Sequence, residues 1–216
     1  MKRETRGECG EKTSASFAPS AFQFFRPAAA WISIQNRYRG RKADIRQIQN
    51  PKYPMLLHLI RHGDALSSEV DPARPLSPRG RDDVAKVAAR LRADGTAPAA
   101  IWHSPVRRAR ETAALLAQHL GRPVMLVGKS YLQSEDDPAK IARLLAEMPP
   151  PADLAIVGHE PHLGALATLL VTGAATPAVF ALKTAGVLTL APAAGKHEGT
   201  GFARWAVREE KSPWTS

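Results

Sequence analysis

From residue 55 onward, short apolar runs alternate with longer stretches of helical period, whereas residues 1–52 show neither pattern. Residues 55–60 (Met-Leu-Leu-His-Leu-Ile) form a nearly continuous apolar run, as expected of a strand buried on both faces. Ser77-Pro78 then opens a helix, with serine as N-cap and proline at the first helical position. Its apolar stripe is Val84, Val87, Ala88 and Leu91. Residues 100–103 predict a strand, and residues 106–120 a helix with Ala109, Ala113, Leu116 and Leu120 inward and Gly121 as its stop. A strand over 124–127, a helix over 138–148 closed by Pro149-Pro150-Pro151, and a buried strand over 154–157 follow. The next helix spans 161–172 and ends at Gly173, and three strand candidates remain at 179–182, 187–190 and 203–207. This order predicts an α/β fold, a three-layer sandwich with a mostly parallel sheet and antiparallel edge additions from the late strands.

Composition narrows the class without changing that picture. The chain has 216 residues, enough for one packed domain and a tail but not for two large domains. Hydrophobic residues make up 44% and charged residues 23%, which excludes a wholly disordered or fibrous chain. A single cysteine, Cys9, excludes an internal disulfide and a cysteine-cluster metal site. No apolar run approaches the ~18–20 residues that cross a bilayer.

The net charge of +10 is unevenly placed. Residues 1–54 carry eleven Lys/Arg against four Asp/Glu, a net +7, leaving nineteen against sixteen, or +3, for the rest. The high pI therefore describes the N-terminal quarter, and nucleic acid is not expected as a partner except through that segment. Residues 1–52 read as a basic, poorly ordered extension, or as a start placed too far upstream, with 53–216 as the domain. An arm for anionic surfaces or nucleic acid and an organelle-targeting segment are the alternatives. A secretory pattern is missing, which together with the lone cysteine points to the cytoplasm.

Ligands in sheets of this kind bind beyond the carboxyl ends of the strands. Three polar clusters fall there: Arg61-His62-Gly63-Asp64, Ser104-Pro105-Val106-Arg107-Arg108-Ala109, and Gly158-His159-Glu160-Pro161. Two histidines, at least two arginines and two helix N-termini would converge on one crevice. Arginine forks and free N–H groups suit phosphate oxygens. A neutral imidazole among them can attack phosphorus while the arginines spread the developing charge.

Arg61-His62-Gly63 after an apolar strand, Ser104-Pro105 with Arg108-Ala109 and Thr112, and Gly158-His159 after another strand together resemble the histidine phosphatase superfamily, with its phosphoglycerate-mutase-like fold. Arg61-His62-Gly63-Asp64-Ala65 and Arg74-Pro75-Leu76-Ser77 with Gly80 resemble its SixA-type phosphohistidine phosphatase branch. The match runs from about residue 55 to 207. It implies that His62 is the nucleophile and forms a phosphohistidine intermediate. It further implies that Arg61 and Arg108 clamp the phosphoryl oxygens, that His159 donates a hydrogen bond to the transferring group, and that Arg74 stands at the pocket rim. No metal or other cofactor is expected. Larger members carry an acid after the third strand; here Leu132-Gln133-Ser134-Glu135-Asp136-Asp137-Pro138 offers Glu135, while Asp136 and Asp137 resemble helix caps. A missing acid favours phosphohistidine on a partner protein over sugar or alkyl phosphates, because a P–N bond to imidazole needs less help in leaving. A small-molecule phosphomonoesterase and a basic-armed anion-binding module with secondary catalysis stand as alternatives. The oligomeric state is not legible.

Duller readings apply to the neighbouring residues. Arg107 and Arg110 are expected on a solvated helix face, His162 on a helix surface, His58 in the sheet, and His119 at a helix C-terminus favoured by the dipole. His103 either lines the pocket or packs with Trp102. Asp64 either supports the site from behind or forms the turn. The His159–His162 spacing alone is too few ligands for a metal.

Overall fold

Three strands that are apolar on both faces sit at the centre of the sheet and set the frame for everything else. They are β1 (Leu57–Arg61), β2 (Ala100–His103) and β4 (Leu154–Gly158), with β3 (Met125–Gly128) half-exposed at one edge. The computed structural model describes residues 55–96, 98–147, 153–200 and 202–208. The expected basic segment 1–52 and its boundary with the domain lie outside the described residues.

The helices are α1 (Pro78–Ala93), α2 (Arg107–His119), α3 (Pro138–Glu147) and α4 (His162–Thr172). Two further strands, β5 (Val187–Lys196) and β6 (Ala203–Val207), complete a six-stranded sheet in the order β3-β2-β4-β1-β5-β6. The four strands from β3 to β1 run parallel, and β5 and β6 are added antiparallel at the β1 edge. Leu57, Leu59, Trp102, Leu154 and Ile156 pack on one face with Ile141, Leu145, Leu163 and Leu166 of α3 and α4. Ile60, Ile101, Ala155 and Val157 pack on the other with Val84, Leu91, Ala113 and Leu116 of α1 and α2. This is the expected three-layer α/β sandwich.

Helix ends follow local chemistry. Ser77 caps α1, its hydroxyl accepting from the Gly80 N–H at 3.0 Å, with Pro78 in the first turn. Asp137 accepts from the Ala139 N–H at 2.9 Å and so caps α3, while Asp136 closes the preceding turn on Gln133 instead. Gly173 takes the left-handed conformation that ends α4.

One expected strand is not formed. Residues 179–182 are irregular because their backbone groups bind side chains rather than a neighbouring strand. The Val179 N–H donates to Thr168 and the Leu182 N–H to Glu160, while the Leu182 carbonyl accepts from Arg61.

The turn after β1 presses backbone against backbone. A Cβ on Gly80 would overlap the carbonyl oxygen of Asp64, and one on Gly63 would come to 2.9 Å from the Gly80 oxygen. Alanine in a helix interior normally gains about 0.5–1 kcal/mol over glycine. Overpacking against a rigid backbone costs about 1–3 kcal/mol or more and outweighs that gain. Gly80→Ala is therefore expected to lower the urea midpoint at unchanged m-value; an equal or raised midpoint would show that the turn yields.

Candidate active site

Parallel pairing decides which residues meet. Arg61 at the end of β1 is in register with Gly158 at the end of β4, so His62 and His159 each follow a paired residue. Neighbouring strands lie about 4.8 Å apart, and the two imidazole centroids are 4.9 Å apart at a tilt of 58°. β2 flanks β4 on its other side with His103 against Val157, which brings Ser104 and the start of α2 to the same sheet edge.

Arg108, in the first turn of α2, bridges the two rings. Its Nε donates to Nε2 of His62 at 3.1 Å and its Nη2 donates to Nδ1 of His159 at 3.3 Å. A guanidinium only donates, so both ring nitrogens that face it carry lone pairs. The opposite nitrogens fix those tautomers. Nδ1 of His62 donates to the Gly63 carbonyl at 2.7 Å, and Nε2 of His159 donates to the Ser104 hydroxyl at 3.0 Å.

Arg61 lies near enough for its charge to act on both rings. Its Nη1 donates to the Leu182 carbonyl at 2.8 Å, and its Nε is buried without a partner. An orphaned buried donor is rare in a folded chain, and this one is free to bind an oxygen. The N-termini of α2 and α4 have no side-chain cap, in contrast to α1. Thr112 locks the halves together, its hydroxyl donating to the Arg108 carbonyl at 2.7 Å and accepting from the Gly63 N–H at 3.1 Å.

Both imidazoles are held neutral. Burial is the largest cause lowering His62 to about 4, with Arg108, Arg61 and Arg74 adding to it against the Gly63 hydrogen bond. Burial also leads in lowering His159 to about 3, followed by His62, Arg108, His162 and Arg61. No carboxylate acts on either ring. Desolvation thus outranks the positive neighbours as the cause.

The structure thus brings Arg61, His62, Arg108 and His159 together. Arg74 makes no direct contact with them but lies near enough for its charge to depress His62 and Arg108. It sits at φ +47 with its Nε on the Leu66 carbonyl at 3.2 Å. Its loop is tied to α2, since Glu111 accepts from the Leu76 N–H and from Arg107, which also faces Asp71. Glu135 is exposed and is not among the groups whose charge acts on either ring.

Among the secondary readings, Arg107 is an exposed ion-paired residue and His119 is exposed at the end of α2. His58 is a sheet residue bonded to Thr189 at 3.0 Å. His103 turns its Nδ1 onto the Ser104 carbonyl, and Asp64 forms the turn, its backbone and side chain each accepting from Ser77. His162 contradicts its expected surface position: it is 1% exposed, and neither ring nitrogen has a partner. α4 is apolar nearly all round and is swallowed by the core, so its first residue goes in with it. Among the described residues no group of three His, Cys, Asp or Glu side chains is placed to hold a metal ion, and no helix is long and apolar enough to cross a membrane.

The geometry defines a class: a cationic cluster around a neutral, oriented imidazole on a phosphoglycerate-mutase-like sandwich. The family model for the histidine phosphatase superfamily (branch 1) matches residues 57–129. An uncharacterized protein of Picosynechococcus sp. is 34% identical over 146 residues, 66% of this chain and 88% of its own. Among solved structures, the protein histidine phosphatase SixA complexed with tungstate superposes with a TM-score of 0.59 at 23% identity, covering 72% of this chain and 95% of that one. A mycobacterial glucosyl-3-phosphoglycerate phosphatase complexed with VO3 gives a TM-score of 0.54 at 19% identity, covering 72% and 98%. The chain belongs to the histidine phosphatase superfamily, and its class of activity is phosphate hydrolysis.

The buried histidines make stability depend on pH. His58, His62 and His159 titrate near 4, 4 and 3 in the folded chain, against about 6.5 when unfolded. Between those values the unfolded chain binds more protons, so stability is full above about pH 6.5 and is lost as pH falls toward 4. Urea midpoints measured from pH 7 down to 5 should fall with a linkage of about two to three protons. A linkage below one would show that the rings titrate as exposed imidazoles.

Proposed function

We propose that the chain is a metal-independent phosphatase whose nucleophile is His62 and whose substrate is phosphohistidine on a partner protein. The observation that carries this reading is the His62 ring: with its Nδ1–H committed to the Gly63 carbonyl, the Nε2 lone pair is turned into a cationic cluster. Burial keeps that ring unprotonated at neutral pH. In the first step Nε2 forms a bond to phosphorus as the bond from phosphorus to the leaving nitrogen breaks, that nitrogen keeping the electron pair. Water then attacks phosphorus, the P–Nε2 bond breaks, and inorganic phosphate leaves with His62 restored. Arg108 gives up its bond to Nε2 and turns to the phosphoryl oxygens, joined by the unpartnered Nε of Arg61. His159 accepts from Arg108 in the free protein; beside a phosphoryl group it takes the other neutral tautomer, its proton passing from Nε2 to Nδ1, so that Nδ1 donates to a phosphoryl oxygen while the Ser104 hydroxyl turns to donate to Nε2. Arg74 stands further out as a contact for the incoming substrate.

The preference for phosphohistidine is supported by the lack of any carboxylate acting on the two rings. A general acid is worth roughly 10²–10⁴-fold for a poor leaving group, and a P–N bond to imidazole does without it. The solved SixA, a protein histidine phosphatase, supports the same substrate class, whereas the mycobacterial sugar-phosphate phosphatase supports the small-molecule alternative. We also propose a cytoplasmic setting, on the strength of the single cysteine.

Rapid quenching into alkaline detergent, where N-phosphoryl bonds survive, should trap labelled phosphate on the wild type and none on His62→Ala. Arg108→Ala should lower kcat by about 10²–10³-fold on p-nitrophenyl phosphate. Phosphohistidine should exceed sugar phosphates in kcat/KM by roughly 10²–10⁴-fold. Equal turnover by His62→Ala would end the nucleophile assignment, and a preference for esters would move the substrate to small molecules and the proton donor to Glu135.

A further inference from the structure

We infer that Glu160 is a positioning residue that aims the Arg61 guanidinium through the irregular strap between α4 and β5. The inference rests on the reading of Arg61 as a phosphoryl ligand.

Among the described residues Arg61 has one acceptor for its side chain, the Leu182 carbonyl at 2.8 Å, and no ion-pair partner. Where that carbonyl sits therefore decides where the free Nε points. Leu182 belongs to no strand or helix, so its place is set by its ties. Its N–H donates to Oε1 of Glu160 at 3.0 Å. The strap lies tight on α4 at the same point. A Cβ on Gly164 would overlap the Phe180 carbonyl and come to 2.9 Å from Oε2 of Glu160. A second tie, from the Val179 N–H to Thr168 at 3.0 Å, holds the far end of the strap. Downstream, the Ala185 N–H donates to the His62 carbonyl and the Arg61 N–H to the Gly186 carbonyl, each at 3.1 Å. The strap thus grips the Arg61-His62 backbone at one end and the Arg61 side chain at Leu182.

The carboxylate acts by place and not by charge. Glu160 adjoins His159 in sequence, yet it is not among the groups that shift either imidazole. Position and charge predict opposite orders for two conservative variants. Glu160→Asp keeps the charge but withdraws the acceptor by one methylene. Glu160→Gln keeps an acceptor at the same reach without the charge.

The test is a double-mutant cycle on the full chain, with p-nitrophenyl phosphate as substrate and orthovanadate as inhibitor. Glu160→Asp should lower kcat/KM by about 10- to 100-fold, the scale of a misplaced ligand of about 1 Å, and weaken vanadate in parallel. Glu160→Gln should recover activity to within about threefold of wild type. In an Arg61→Ala background, Glu160→Asp should change kcat/KM by less than about twofold, because nothing remains to be aimed. Thr168→Val, which frees the other tie, should fold and stay within about threefold of wild type. Equal losses from Glu160→Asp with and without Arg61 would overturn the inference while leaving Arg61 as a ligand. So would activity in Glu160→Asp with loss in Glu160→Gln, or a loss in Thr168→Val as large as that in Glu160→Asp. Failure of Glu160→Asp to fold, with Thr168→Val folded, would assign Glu160 to the fold and overturn it too. Wild-type activity in Arg61→Ala would fell the ligand reading itself, and the inference with it.

Discussion

A guanidinium that donates to two imidazoles at once imposes a protonation state on both. Arg108 reaches Nε2 of His62 and Nδ1 of His159, and it has no lone pair to offer in return. If either ring were protonated at that nitrogen, a cation would face a cation. Burial does most to hold both rings neutral, and the Arg108 charge adds to it. The acceptors behind the rings agree with that protonation state: the Gly63 carbonyl can only accept, and the Ser104 hydroxyl is free to do so.

The scaffold makes that geometry cheap to hold. Parallel strands in register deliver His62 and His159 one residue beyond a paired position, and the adjacent β2 delivers Ser104 and the first turn of α2. Thr112 then ties the carbonyl of Arg108 to the N–H of Gly63, so the bridging arginine and the bridged histidine are referenced to one hydroxyl. The arrangement is rigid where the nucleophile stands. On the Arg61 side the carbonyl partner comes from an irregular strap, and the carboxylate of Glu160 supplies the definition that a ladder of strand bonds would otherwise give.

The parts of this that were legible in the sequence are those in which a local pattern and the tertiary environment agree. Residues buried on both faces of the sheet gave continuous apolar runs, so β1, β2 and β4 could be read to within a residue or two. Ser77-Pro78 and Gly173 announced helix ends through backbone chemistry alone. The four residues of the central cluster were legible because each stands at a strand end next to glycine or a helix start. Residues 179–182 were misread because Val179 and Leu182 look like strand residues, whereas their amides belong to the side chains of Thr168 and Glu160 more than ten positions away. No local pattern encodes such a bond, which is also why Glu160 passed as one more polar residue after His159. His162 was misread for the opposite reason: its polarity was weighed and its neighbours Leu163, Leu166 and Leu170 were not.

The unpaired groups and the charge point to the same kind of occupant. Arg61 and Arg108 converge on the two rings with Arg74 nearby, and no carboxylate acts on the rings, so the cluster carries positive charge that nothing in it neutralises. Charges of one sign at partly buried positions repel more strongly than on an open surface, because water screens them less. A monatomic anion would relieve the charge but would leave most of the directional donors without partners. A tetrahedral oxyanion does both, since its several oxygens can accept from more than one guanidinium donor at once. The oxyanion and the nucleophile thus go with the same feature, a cationic cluster whose histidines stay neutral chiefly because they are buried.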